Sequence, residues 1–365
     1  MTATDASART LLVLHTGGTI GMRLGPRGFA PARGALLETI AAMPQLHDPS
    51  VAVGDDEGRP VFTTPPFATG ARVRYAVLEY DPLLDSANLE LSHWARFAED
   101  LGRFHDRYDG FVVLHGTDTM AFTASALSFM LEGLAKPVVL TGSQIPLVRL
   151  RNDGLDNFLG ALGLAALYPI PEVTLYFHHK LLRGNRASKH DASSLDAFDS
   201  PNLAPLVTVG IDVEVADPLR LPLDPRPFHV RTELSPHVAS LRLYPGITAA
   251  VLENFLRPPL EGLVLETYGA GNGPERADLL GLLREASARG VLILNVTQCP
   301  RGEVRGDYQV GRALAEAGVV AGGDLTSEAA MAKLALVLGQ RAVAGWSREE
   351  QVRRLQTPLR GEMSG

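Results

Sequence analysis

Three short apolar runs in this chain end abruptly in hydroxyl and glycine residues. Leu11-Leu12-Val13-Leu14-His15 runs into Thr16-Gly17-Gly18-Thr19. Phe111-Val112-Val113-Leu114-His115 runs into Gly116-Thr117-Asp118-Thr119, and Pro137-Val138-Val139-Leu140 into Thr141-Gly142-Ser143-Gln144. A brief apolar run bounded by turn residues reads as a strand buried on both faces, as in a parallel sheet. Ligands of open α/β sheets bind beyond the carboxyl ends of the strands. The three ends are therefore expected to bring hydroxyls, one carboxylate and free backbone N–H groups to one crevice. That set suits a nucleophile with an oxyanion site.

The rival chemistries fail on residue type. A phosphate loop of the Walker kind needs a lysine at its end, and residues 17–22 contain none. Gly17-Gly18-Thr19-Ile20-Gly21 does not fit the dinucleotide fingerprint. A threonine hydroxyl is a weak nucleophile and needs a base; a lysine serves once burial or a neighbouring cation suppresses its charge. Asp118 could hold such a lysine, hold a ligand's amino group, or cap the helix that follows it. His178 and His179 are adjacent on an expected strand and should face opposite ways. His15 and His115 precede their loops at matching positions and read as buried, hydrogen-bonded residues. No metal-ligand spacing of His or Cys occurs.

These residues need a scaffold, and the pattern along the chain supplies one. Strands are expected at 10–16, 74–80, 111–114, 137–140 and 173–178. Helices are expected at 35–43, 92–108 with Ser92 as its cap, 120–134, and 152–168 closed by Pro169. Residues 22–34 read as a Gly- and Pro-rich loop, 50–73 as a surface excursion or exposed hairpin, and 182–205 as a small polar stretch. Such β–α alternation implies a parallel sheet with right-handed crossovers. Residues 216–236, with Pro218, Pro222, Pro225, Pro227 and Pro236, read as a linker. Alternation then resumes, with strands at 262–267, 291–296 and 319–321 and helices at 274–288, 309–317 and 327–338. The fold class is α/β: a larger N-terminal parallel-sheet domain (1–215), the linker, and a smaller C-terminal α/β domain (237–365).

The 365 residues suffice for two domains, and 45% hydrophobic with 21% charged residues is an ordinary globular balance. A net charge of −7 argues against a nucleic-acid surface. The single cysteine, Cys299, allows no internal disulfide and suits a reducing cytoplasm. Residues 1–10 lack a basic segment followed by an apolar core, and no run reaches the roughly 18 apolar residues of a membrane span. A cytoplasmic protein without membrane or nucleic-acid partners is expected.

With these residues in view, the chain resembles the bacterial type I, cytoplasmic, L-asparaginases. The likeness rests on Thr16-Gly17-Gly18-Thr19-Ile20-Gly21, Asp81-Pro82-Leu83-Leu84-Asp85-Ser86, His115-Gly116-Thr117-Asp118-Thr119-Met120 and Thr141-Gly142-Ser143-Gln144-Ile145-Pro146. It continues through Arg183-Gly184-Asn185-Arg186 with Lys189, Tyr268-Gly269-Ala270-Gly271-Asn272 and Thr297-Gln298-Cys299, seven motifs in order over nearly the whole chain. The resemblance implies hydrolysis of the L-asparagine side-chain amide without a cofactor or metal, in a homodimer or homotetramer. It implies Thr19 as nucleophile and Thr117, Asp118 and Lys189 as the second catalytic group. Asp85 and Ser86 would contact the substrate's α-amino and α-carboxylate groups, and Ser143 would line the amide end. Gly18 and Gly116 would line the substrate, and backbone N–H groups near Thr19 and Thr117 would stabilise the oxyanion.

Two positions depart from the family pattern. Where many members carry a tyrosine in the loop after the nucleophile, this chain has Phe29; the resemblance points to Tyr308 as its replacement. Some type I members carry an asparagine effector site near the region of Cys299. Glu266 stands where those members have an arginine, and a carboxylate does not clamp another carboxylate. Three other readings stay open at this level: a broad glutaminase-asparaginase, a non-catalytic asparagine-binding sensor, and a tRNA amidotransferase subunit. The last would require a further N-terminal domain.

Overall fold

The computed structural model describes residues 9–26, 28–305 and 309–365. It divides into two units. One runs to Ser200 and resumes over Ala204–Arg231; the other takes Pro201–Leu203 and Thr232–Gly365. Each is an α/β structure, the first larger and built on a ten-stranded sheet.

Five parallel strands form the middle of that sheet: β1 (Thr10–Gly17), β2 (Arg74–Leu84), β3 (Gly110–Leu114), β4 (Val138–Thr141) and β5 (Val173–Phe177). They lie side by side in the order β2-β1-β3-β4-β5. Leu11, Leu12, Val13 and Leu14 have no exposed surface, the burial that an uninterrupted apolar run requires. Helix α1 (Leu91–Phe104) packs on α2 (Met120–Met130), and α3 (Gly154–Leu167) packs across β1, β3 and β4. The chain leaves β1 for β2 on one side and returns to β3 on the other. That reversal opens a crevice beyond the carboxyl ends of β1 and β3.

The edges of the sheet are antiparallel. Lys180–Arg183, Val207–Val209 and Val213–Val215 extend one side, and Arg59–Thr63 and Gly54–Asp56 the other. Residues 50–73 therefore hold a hairpin that joins the sheet and buries Val61 and Phe62. Residues 22–34 are not a plain loop, because Met22–Gly25 pairs antiparallel with Gly28–Pro31 in an almost fully exposed hairpin. His178 and His179 do not sit within a strand. They form the turn between β5 and Lys180–Arg183, with φ of 45° and 65°, so the opposite-face expectation fails. Helix α1 starts at Leu91 rather than after Ser92. Its cap is Glu90, whose side chain accepts from the His93 N–H while the His93 ring accepts from the Glu90 N–H.

Residues 216–231 pack with the first unit. Arg183 forms a buried ion pair with Glu172 at 2.6 Å and also donates to Leu219 O; Glu172 accepts from Leu221 N–H. His229–Val230 pairs with Leu131–Glu132, and Phe228 stacks on the His105 ring at 3.8 Å.

In the second unit, β6 (Val238–Arg242), β7 (Gly262–Thr267), β8 (Leu292–Thr297) and β9 (Val319–Ala321) form a parallel sheet in chain order. Helix α4 (Ser327–Ala344) begins where Thr326 Oγ1 accepts from Ala329 N–H at 3.1 Å, and ends at Gly345 in the left-handed region. Lys333 on α4 is fully buried and pairs with buried Glu362 at 2.7 Å, fixing the last residues of the chain. No helix among the described residues is long and apolar enough to cross a membrane.

Candidate active site

The three hydroxyl-rich turns leave neighbouring strands on the same edge of the sheet. Thr16 Oγ1 donates to Leu114 O at 2.9 Å, tying the end of β1 to the end of β3. Gly17 and Gly18 adopt φ of 136° and 86°, and Thr19 then opens a single 3₁₀ turn over Thr19–Gly21. Glycine is required at 18 on two counts. Its φ disfavours a side chain, and a Cβ there would lie 2.5 Å from the Gly116 nitrogen. A Cβ on Gly116 would in turn lie 2.4 Å from Ser86 Oγ. The Thr19 and Thr117 segments thus meet backbone to backbone at Gly18 and Gly116, and the Ser86 side chain closes on Gly116.

Thr117 is buried at the end of β3. Its hydroxyl accepts from Lys189 Nζ at 2.9 Å and donates to Gln144 Oε1 at 3.0 Å. The same Lys189 ammonium donates to Asp118 Oδ1 at 2.8 Å. Lys189 belongs to the two-residue strand Ser188–Lys189, paired with Phe198–Asp199, so a short ladder rather than a free loop aims it. Asp118 does not cap helix α2; Thr119 holds that position, and its hydroxyl donates to Ser86 O. Nothing local marks Gln144 for a role in the site, because an amide carries no charge or nucleophile. Only the fold shows it linking Thr117 to Ser194 O, with its backbone N–H held by Asp153.

Asp85 caps a 3₁₀ turn by accepting from Ala87 N–H at 3.1 Å and is otherwise exposed, whereas Ser86 is buried. Ser143 is buried, and its hydroxyl has no hydrogen-bond partner among the described residues. Phe29 lies on the exposed hairpin with the Arg149 guanidinium 5.6 Å from its ring centre. Tyr308 lies outside the described residues. In the second unit Glu266 accepts from Ser240 Oγ at 3.0 Å and stands 3.7 Å from Arg242; Cys299 is exposed.

His15 and His115 are both buried and hydrogen-bonded, as their sequence positions suggested. His15 Nδ1 lies 3.2 Å from Glu79 Oε2, and Glu79 Oε1 accepts from Gly34 N–H at the base of the hairpin. Burial acts to raise the Glu79 carboxyl, but these two hydrogen bonds hold it below its ordinary value. His115 is enclosed, and loss of solvation lowers its ring to about 4 although the Gly116 carbonyl opposes the shift. Among the described residues, no group of three or more His, Cys, Asp or Glu could hold a metal ion.

A threonine pair at a strand-end crevice, with a lysine and a carboxylate on one of them, defines a class. The Asparaginase, N-terminal family model matches residues 10–220 and the Glutaminase/Asparaginase C-terminal domain model matches residues 237–350; the chain belongs to this family. L-asparaginase 1 of Escherichia coli K12 is 45% identical over 364 residues, covering 98% of each chain. The 60 kDa lysophospholipase of Mus musculus is 48% identical over 98% of this chain, which spans 63% of that relative's length. The crystal structure of L-asparaginase I from Vibrio cholerae matches with a TM-score of 0.84 at 42% identity, covering 98% of this chain and 100% of that one.

Proposed function

We propose that this protein hydrolyses the side-chain amide of L-asparagine to L-aspartate and ammonia through a threonine acyl-enzyme. The observation that carries the reading is the Lys189 ammonium held between Thr117 Oγ1 and Asp118 Oδ1, 72 and 71 residues away in sequence. That contact stands one strand from Thr19. Thr19 Oγ attacks the amide carbon, and its proton leaves through Tyr308. Backbone N–H groups near Thr19 and Thr117 take the oxyanion, a contribution of about 3 kcal/mol per donor. The C–N bond breaks as the nitrogen takes that same proton back from Tyr308 and departs as ammonia, and an ester on Thr19 remains. Water, deprotonated through Thr117 and Lys189, opens that ester and frees aspartate. Lys189 acts in its base form, which reverses its bond to Thr117 and draws the hydrogen now given to Gln144. Asp85 and Ser86 take the substrate's charged α-groups, and Ser143 offers its unused hydroxyl to the amide end. The same reading has the protein cytoplasmic and assembled as a homodimer or homotetramer, which light scattering of the purified protein measures. The decisive assay is ammonia release from L-asparagine and, separately, L-glutamine by wild type and Thr19→Ala. Loss of at least about a thousandfold in Thr19→Ala, with its melting temperature kept, is expected. Undiminished release by Thr19→Ala overturns the nucleophile assignment.

A further inference from the structure

The structure holds a second hydrogen-bonded array behind Thr117 that the reaction scheme above does not use. His115 Nδ1 lies 2.7 Å from Gly116 O, and a carbonyl only accepts, so Nδ1 carries the hydrogen. Burial keeps the ring neutral at ordinary pH, which leaves Nε2 bare. Nε2 lies 3.0 Å from Thr123 Oγ1, so the Thr123 hydroxyl must donate to it. Trp94 Nε1–H, a donor only, lies 2.9 Å from the same Thr123 oxygen. Each hydrogen therefore has one permitted direction: Trp94 to Thr123, Thr123 to His115, His115 to the Gly116 carbonyl. Such a chain polarises its members in concert.

We propose that Trp94, Thr123 and His115 form a one-way hydrogen-bond chain that orients the Gly116–Thr117 peptide, with His115 as a positioning residue for the reaction at Thr117. A peptide unit is planar, so holding the Gly116 oxygen also fixes the direction of the Thr117 N–H at its other side. That N–H meets no acceptor among the described residues. Gly116, which opens that peptide, is hemmed in by Gly18 and by the Ser86 side chain, and a Cβ on either glycine would strike within 2.5 Å. The His115 ring is steadied by Phe97, edge-on at 6.1 Å. A donor held in place before negative charge develops contributes more than one that must turn towards it. Polarising the carbonyl also makes the N–H of that peptide the stronger donor.

The inference rests on Thr117 standing at the reaction centre, and its test has one arm that needs no substrate. Nitrogen-15 spectra of the histidine side chains, with His115 assigned by comparison with His115→Asn, should show the Nδ1-protonated neutral ring from pH 6 to 8. An Nε2-protonated ring or an imidazolium in that range overturns the chain. In kinetics with asparagine, Thr123→Val should lower kcat about tenfold while KM stays within about twofold, because transition-state donation is detuned and substrate binding is not. Thr123→Ser, which keeps the hydroxyl, should hold kcat within about twofold of wild type. Wild-type kcat in Thr123→Val, or a loss in Thr123→Ser equal to that in Thr123→Val, overturns the positioning role. Should Thr123→Val fail to fold, Trp94→Phe takes its place with an expected loss of about threefold in kcat. A wild-type protein that releases no ammonia from asparagine sinks the proposed function instead, and the spectra alone then decide the chain.

Discussion

Acid should destabilise the first unit through His115, and the size of the effect follows from its burial. The ring's pKa falls from its ordinary 6.5 to about 4 on folding. Between those values the unfolded chain binds a proton that the folded chain refuses, so stability drops as pH falls. Integrated from pH 7 to pH 5, this one residue removes about 2 kcal/mol, a large share of the 5–15 kcal/mol typical of a domain. Carboxylates contribute their own slope, but that background cancels when wild type is compared with His115→Asn. The chain has two tryptophans, Trp94 in the first unit and Trp346 in the second. Urea unfolding followed by Trp94 fluorescence in a Trp346→Phe background therefore reports the first unit. The parent should lose about 2 kcal/mol more than His115→Asn between pH 7 and pH 5. Parallel losses within about 0.5 kcal/mol would falsify the claim that the buried ring is kept neutral.

Lys189→Met should lower kcat by at least about a hundredfold with little change in KM, since it removes the base but leaves the substrate's charged groups held; an unchanged kcat returns Lys189 to a structural ion pair. His179→Gly should raise stability by about 1 kcal/mol in chemical unfolding, because φ of 65° strains any residue with a side chain; a loss would mean the ring contributes more than its backbone costs. Tyr308→Phe should cost at least about tenfold in kcat, equivalent to about 1.4 kcal/mol of barrier, and Phe29→Tyr should partly restore it; near-normal turnover in Tyr308→Phe assigns the Thr19 proton to water or to Thr117. Amides of residues 22–34 should exchange hydrogen quickly in the free protein and more slowly with aspartate bound, as for a closing lid, and equal protection in both states removes that role.

What the sequence disclosed followed the strength of its local signal. The central strands were legible because burial on both faces demands an unbroken apolar run, and 11–14 or 111–114 have no other use. Lys180–Arg183 and Val207–Val209 were not legible, since a strand of three or four residues with polar members looks like a loop until its neighbours are known. The exposed hairpin over 22–31 has too little apolar alternation to declare itself. The cap on α1 was misplaced by two residues because Glu90 and His93 act as a reciprocal pair outside the usual Ser or Asp signal. Lys189 carried no local mark at all. Its meaning lies in a contact with residues 71 and 72 positions away, supplied here by the family likeness and by the fold. The His115 chain is a stronger case: its direction depends on three distances and on burial, none of which spacing encodes.

Because the Thr19 and Thr117 turns leave adjacent strands, their roots are held by the β1–β3 ladder at the interstrand spacing of about 4.8 Å. Gly18 against Gly116 closes the remaining slack from the other side. Drift in such a lineage is channelled accordingly. On the proposed function, a variant that accepts a longer or shorter amide is expected to change at the end of β4, around Ser143, or in the hairpin over 22–31. Spreading the roots of the two turns would first require unzipping the β1–β3 ladder. On the proposed function the two threonines form a fixed cassette, and the walls around them are where change is tolerated.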